Sequence, residues 1–158
     1  MQIRIRQSGQ VMYEAEFRAY TKANGGPSWG TTTEEILDSL GADVVFEGPQ
    51  ATGGTVYQYS QRDGVEQIDG KWYTKYILGP VFTGDTAAAD ETAYKAQKDA
   101  EQAAEVRTSR TQKLKDCDWT QIADSTADKT AWATYRQALR DITGQAGFPW
   151  TVNWPDAP

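Results

Sequence analysis

The chain has 158 residues, enough for one ordinary domain or for two small modules joined by a connector. Its 16 basic and 22 acidic residues give a net charge of −6, and no basic stripe is present to neutralise phosphates, which argues against nucleic-acid binding. Without histidine and with one cysteine, the chain lacks the commonest general base and cannot form a zinc site or an internal disulfide, so no catalytic, cofactor-binding or metal-binding residue is predicted.

Residues 1–83 predict a small α+β domain that begins with a β-hairpin and two short helices. Apolar residues alternate on either side of a polar four-residue segment near the N-terminus, which is typical of a hairpin. Helices are predicted over residues 14–23 and 34–40, because turn-forming residues follow each of them. Thr32 or Thr33 is the predicted N-cap of the second helix.

The remaining signals in this domain predict an antiparallel sheet. Residues 43–47 are interpreted as a strand, and residues 55–82 as a meander of strands. Asp63-Gly64 and Asp69-Gly70 are both interpreted as hairpin turns, because Asp-Gly between β-rich runs is a strong hairpin signal.

Residues 84–117 are interpreted as a long connector helix. Good helix formers dominate residues 90–115, which contain neither Gly nor Pro. One hypothesis, which we favour, is a lone solvated connector. The other is a homo-oligomer formed through a stripe of alanines, although alanine buries little area. The stripe consists of Ala93, Ala96, Ala100 and Ala103.

Residues 118–158 predict a small Trp-rich module made of one helix and a tail. Ser125 is the predicted N-cap, with Asp128 three residues on, and Gly144 is the predicted helix end. Four apolar residues recur at helical spacing and share one face, namely Trp132, Tyr135, Leu139 and Ile142.

The tail is predicted to be extended and to fold back over this helix. Every second residue from position 148 to 154 is apolar, so an extended chain places these side chains on one side. Pro149 and Pro155 favour an extended conformation. Most of the module's aromatic residues, including Trp119, are expected to fill its own core. Trp154, near the end of the chain, is the aromatic residue best placed to contact a partner.

Several motifs of this module occur in a definite order. Cys-Asp-Trp-Thr-Gln at 117–121 is followed by the helix sequence at 131–142, by Gly-Phe-Pro at 147–149 and by Trp-Pro at 154–155. Over residues 115–158 the chain thus resembles the bacteriophage tail assembly chaperone-like family, a domain found at the C-terminus of phage tail-fibre-associated proteins. In the N-terminal part, Gly-Lys-Trp-Tyr-Thr-Lys-Tyr at 70–76 resembles uncharacterised proteins of marine tailed phages.

The resemblance implies a non-enzymatic phage tail protein whose partners are other tail proteins, and it leaves two roles open. The first, favoured because a helical spacer separates two attachment points, is a structural or accessory component of a tail fibre or baseplate, located in the virion tail. The second is a transient assembly chaperone that leaves the mature particle. Neither role calls for nucleic acid or a membrane, and synthesis in the host cytoplasm is expected because the N-terminus lacks the apolar run of a signal peptide.

The candidate partner-binding residues lie in the C-terminal module, on the tail and beside the apolar face of its helix. Both arginines among them have a plainer interpretation as a solvated edge, or as ion pairs with Asp141 and Asp118. The candidates are Trp150, Trp154, Pro155, Pro158, Arg136 and Arg140.

Overall fold

A computed structural model describes residues 1–158, which divide into two compact units, Met1–Val81 and Phe82–Pro158. The α+β class predicted from the sequence is confirmed. The elements of the N-terminal unit are β1 (Gln2–Ile5), β2 (Val11–Tyr13), α1 (Glu14–Ala23), α2 (Glu34–Ser39), β3 (Ala42–Phe46), β4 (Tyr59–Ile68) and β5 (Lys71–Gly79). Those of the C-terminal unit are α3 (Ala87–Asp116), a 3-10 helix (Asp118–Gln121), α4 (Lys129–Asp141) and a second 3-10 helix (Ile142–Gly144).

The N-terminal unit contains one five-stranded sheet in the order β2-β1-β3-β5-β4. Neighbouring strands are antiparallel except β3 and β5, which pair in parallel through Val45 with Trp72 and Phe46 with Tyr73. After β3 the chain leaves a gap and forms β4 at the edge of the sheet. It then turns back, and β5 fills the gap between β4 and β3, parallel to β3.

The core of this unit lies between the sheet and its two helices. Ile3 and Ile5 alternate with polar neighbours along β1, so both point to the same face of the sheet and are buried. Phe17 from α1 and Leu37 from α2 complete the buried cluster together with Ala42 of β3. Helix α2 begins at its predicted cap, where the Thr33 hydroxyl accepts a hydrogen bond from the Ile36 amide.

A polar network joins α1 to the loop that follows it. The Arg18 guanidinium donates to Glu14 on the preceding turn and to the carbonyl oxygens of Trp29 and Gly30, at 2.8 and 2.6 Å. The Thr32 hydroxyl donates to the same Glu14 carboxylate, and this hydrogen bond, ahead of the Arg18 pair, lowers the pKa of Glu14.

The two Asp-Gly pairs adopt different structures. Asp69 and Gly70 both have positive φ, 49° and 80°, and form the two-residue turn between β4 and β5 as predicted. Asp63 and Gly64 lie inside β4, where the register shifts between Arg62 and Val65. The turn predicted at Asp63-Gly64 is therefore wrong. Because β4 continues to pair with β5 on both sides of these residues, they form a β-bulge, with Gly64 at φ 77°.

Helix α3 lies within the connector helix predicted over residues 84–117, and it belongs to the same compact unit as the Trp-rich module. Ala103 is buried, and Val106 joins the hydrophobic cluster of the C-terminal unit. The other three alanines of the stripe, Ala93, Ala96 and Ala100, are exposed. Self-association through them stays a prediction.

Helix α4 begins three residues later than predicted. Asp128, not Ser125, is the N-cap, and its carboxylate accepts hydrogen bonds from the amides of Thr130 and Ala131, both at 3.0 Å. A carboxylate satisfies these amides and interacts favourably with the helix dipole, whereas the Ser125 hydroxyl accepts from the Ala127 amide in the preceding turn. Gly144 ends the 3-10 helix that follows α4.

Candidate partner-binding surface

The C-terminal unit is built around a cluster of five buried residues contributed by α3, α4 and the segments next to them. Leu139 and Ile142 are completely buried, and Tyr135 is nearly so. Burial, the largest cause, raises the pKa of the Tyr135 phenol. The cluster contains Val106, Cys117, Tyr135, Leu139 and Ile142, with Leu114, Trp132, Phe148, Val152 and Trp154 packed against it.

The link between α3 and α4 is held by buried polar and sulfur groups. Cys117 ends α3, and its thiol contacts the Leu114 carbonyl at 3.2 Å. Thr120 is completely buried, and its hydroxyl donates to the Cys117 carbonyl at 2.7 Å and accepts from Gln121 at 2.8 Å. Because these inward-facing residues are anchored, the side chains between and after them are directed outward.

Arg136 joins α4 to the C-terminal end of α3. Its guanidinium donates to the Leu114 carbonyl, the Cys117 sulfur and the Asp118 carboxylate, at 2.8, 2.9 and 2.8 Å. A cation here satisfies a terminal helix carbonyl and complements the helix dipole. Burial is the largest single influence and opposes the charge of this side chain, but the hydrogen bonds to Asp118 and Cys117 and the charges of these two groups together outweigh it, so the pKa of Arg136 is raised.

Turns, rather than an extended chain, begin the tail. The Phe148 amide donates to the Gln145 carbonyl at 3.0 Å, and the Thr151 amide donates to the Gly147 carbonyl at 2.7 Å. A Cβ atom on Gly147 would lie 2.3 Å from the Thr151 carbonyl oxygen, so only glycine fits this close approach. The prediction of an extended segment from residue 148 is therefore wrong for residues 148–150.

Beyond the turns, hydrogen bonds and aromatic contacts attach the tail to the unit. The Gln145 side chain pairs with both backbone groups of Asn153, at 2.9 and 2.8 Å. The Trp150 indole donates to the Asp99 carboxylate at 2.6 Å. Lys113 of α3 lies 5.4 Å from the centre of the Trp154 ring, in a cation–π contact. The tail thus covers the cluster, as the sequence predicted.

Two exposed apolar side chains lie on the segment between α3 and α4. Trp119 and Ile122 remain 53% and 55% exposed. The rings of Trp119 and the half-buried Trp132 pack edge to face with their centroids 5.9 Å apart, and those of Trp132 and Tyr135 do so at 5.6 Å. We call Trp119, Ile122 and Trp132 the Trp119 patch. Trp119 was predicted to lie in the core, but Cys117 and Thr120 on either side of it take the buried positions of this segment.

The structure distributes the predicted partner-binding residues over different environments. Arg136 is committed to internal contacts, whereas Arg140, one turn further along α4, is exposed. On the tail, Trp150 and Trp154 are half-buried against the unit, as described above. Pro155 is half-buried and Pro158 is exposed. Partner binding by these six residues remains a prediction.

A cavity of about 460 Å³ in the N-terminal unit is a second feature of interest. Arg6 lies in its lining and forms ion pairs with Asp38 and Asp43, each at 2.8 Å. Trp72 forms part of the wall, and Arg4 stacks on its ring at 3.8 Å. These charged groups already satisfy one another, so a charged ligand would have to compete with internal pairs.

The sequence of the region that forms the end of α3, α4 and the tail matches a known protein family. Residues 103–158 match the family model for the phage tail assembly chaperone protein. The resemblance drawn from the C-terminal motifs is thereby confirmed, and the matched region starts at the buried Ala103, one turn before Val106 of the hydrophobic cluster. This region is related to phage tail proteins. The resemblance of residues 70–76 to marine phage proteins stays a prediction.

Neither curated proteins nor solved structures give a match to the chain. None of the helices combines the length and the apolar character that crossing a membrane requires. No group of three or more histidine, cysteine, aspartate or glutamate side chains is arranged to hold a metal ion.

Proposed function

We propose that this protein is a non-enzymatic chaperone of phage tail assembly, which holds a tail or tail-fibre protein during morphogenesis and is then released. The observation that carries the proposal is the match of residues 103–158 to the phage tail assembly chaperone family. The Trp119 patch supports it, because tryptophan is enriched among the residues that dominate protein–protein binding.

A structural component of the virion tail is the second candidate. The division of the chain into two compact units favours it, since two units offer two attachment points. The family description nevertheless agrees better with a chaperone than with a component of a fibre or baseplate, and the order of preference drawn from the sequence is therefore reversed. In the chaperone role the protein acts in the host cytoplasm, on other tail proteins.

Quantitative mass spectrometry of infected cells and of purified particles separates the two candidates. A chaperone should be abundant in lysates during assembly, should crosslink there to a tail protein, and should fall below one copy per purified particle. Stoichiometric presence in particles would contradict the chaperone role and support the structural component.

Complementation provides a second test with the full chain. A phage lacking the gene should yield few complete tails, and supplying the chain in trans should restore them. The restored particles should lack the chain. Restoration that depends on incorporation of the chain into particles would rule out transient action.

A further inference from the structure

The Trp119 patch is a supported surface rather than a pair of loose side chains. Single exposed apolar residues are common and carry little information. Here Trp119 and Ile122 lie three residues apart on a segment fixed by the buried Cys117 and Thr120, and Trp119 rests on the edge of Trp132. Trp132 in turn packs against the buried cluster. The patch is therefore preorganised, which lowers the entropic cost of binding.

The surroundings of the patch are acidic. Residues 116–132 contain four aspartates and one lysine. Asp118 is mostly exposed although it pairs with Arg136, and Asp128 is exposed at the N-cap of α4, one turn before Trp132. The single lysine, Lys129, contacts the Ala123 carbonyl at 3.3 Å. The apolar side chains of the patch therefore lie on a segment of the chain that carries a net negative charge.

From this combination we infer that the Trp119 patch binds a basic amphipathic segment of the partner, in which one or two large apolar side chains are flanked by lysine or arginine. The apolar side chains would cover Trp119 and Ile122, and the basic ones would face Asp118, Asp124 and Asp128. Complementary charge of this kind speeds association and rejects acidic segments. The inference rests on the proposed chaperone function and names the chemistry of the segment that is held.

Three synthetic peptides test the inference with the full-length chain. The first is a fluorescein-labelled amphipathic peptide of leucine and lysine. In the second, glutamate replaces every lysine, and in the third, serine replaces every leucine. Fluorescence anisotropy should give a dissociation constant for the first peptide at least about tenfold lower than for either of the others. Equal binding of the three peptides would overturn the inference.

Matched variants locate the binding surface. Trp119→Ala and Ile122→Ser should each weaken binding of the basic peptide by about tenfold or more. The control is Val56→Ser in the N-terminal unit, where Val56 is 57% exposed, and it should change binding by less than about twofold. Circular dichroism should show that each variant is folded; an unchanged dissociation constant in folded Ile122→Ser would exclude the patch.

A second pair of variants tests the charge. Asp124→Lys and Asp85→Lys alter the net charge equally, but Asp85 precedes the 30-residue helix α3, which is about 45 Å long, and Asp124 follows it. Asp124→Lys should weaken binding about fivefold and Asp85→Lys less than about twofold at low salt, and the difference should fall as salt screens the charges. Equal effects of the two variants would overturn the electrostatic part of the inference.

The remaining outcomes separate this inference from the proposed function. If sedimentation shows a dimer that Ile122→Ser abolishes, the patch is an interface between copies of the chain and the inference is wrong. If the patch variants still crosslink to the tail protein and restore tails as the wild type does, the inference fails while the chaperone function stands. Stoichiometric retention in particles would refute the chaperone function, whatever the peptides show.

Discussion

Replacement of Arg136 by methionine should destabilise the C-terminal unit by about 2–3 kcal/mol. Methionine keeps much of the aliphatic stem, so the change mainly removes the guanidinium and leaves its partners in place. The side chain of Arg136 is only 11% exposed. The matched control is Arg140→Met, because Arg140 lies one turn further along the same helix and is exposed.

The magnitude follows from two of the three contacts of the guanidinium, those with Leu114 and Asp118. Its hydrogen bond to the Leu114 carbonyl is half-buried and charge-assisted, and such bonds contribute about 1.5–3 kcal/mol. The pair with Asp118 adds about 0.5 kcal/mol or less, since the Asp118 side chain is largely exposed and screened by solvent. Arg140→Met should cost less than about 0.5 kcal/mol, as is usual for an exposed surface position.

Native-state hydrogen exchange of the α4 amides measures this difference within the C-terminal unit itself. A loss of 2–3 kcal/mol corresponds to about 30- to 160-fold faster exchange of the most protected amides. Arg140→Met should stay within about threefold of the wild type. If Arg136→Met also stays within that range, the guanidinium contributes no stability, and Arg136 returns to the set of residues available for a partner.

Three further predictions concern packing, backbone fit and pH. Leu139→Ala should destabilise the C-terminal unit by about 3 kcal/mol, measured by the same exchange, because Leu139 is completely buried; a loss below about 1 kcal/mol would contradict its place in the core. Gly147→Ala should speed exchange of the Thr151 amide and proteolysis of the tail, because its Cβ would meet the Thr151 carbonyl; an unaltered tail would disprove this contact. The hydrogen bond from Thr32, and after it the one from Arg18, lowers the folded-state pKa of Glu14. Ionised Glu14 therefore contributes stability at pH values above its unfolded pKa, and this contribution is lost as the pH falls through the folded pKa. The Tm difference between wild type and Glu14→Gln should therefore shrink between pH 6 and pH 3, and a constant difference would refute it.

Elements with strong local signals could be predicted from the sequence. The hairpin β1–β2 and helix α1 are determined by short-range alternation and by turn residues at their ends. The two Asp-Gly pairs show that a local signal does not always determine the structure. The same dipeptide forms a turn at Asp69 and a bulge at Asp63, because the choice depends on whether the partner strand β5 continues beside it. That partner is a nonlocal property.

The candidate site shows the same division between local and nonlocal information. The apolar face of α4 was predictable because Tyr135, Leu139 and Ile142 follow helical spacing. All three are buried in the structure. The N-cap was misplaced from Asp128 to Ser125, since both residues satisfy a capping pattern and only the path of the preceding turn selects one. The sequence suggested the ion pair of Arg136 with Asp118, which the structure contains, but not its hydrogen bond to the Leu114 carbonyl, 22 residues away at the end of α3.

The contrast between Trp154 and Trp119 bears most directly on function. Proximity to the chain end made Trp154 the preferred contact residue, but turns, the Gln145–Asn153 pair and Lys113 hold it against the unit. Trp119 is 53% exposed although it lies within the chain, because the anchored Cys117 and Thr120 take the inward positions. The buried part of Trp154 would have to detach from the core before it contacted a partner. The Trp119 patch needs no such rearrangement, so the binding proposed for it carries a lower conformational cost than binding through the buried part of Trp154.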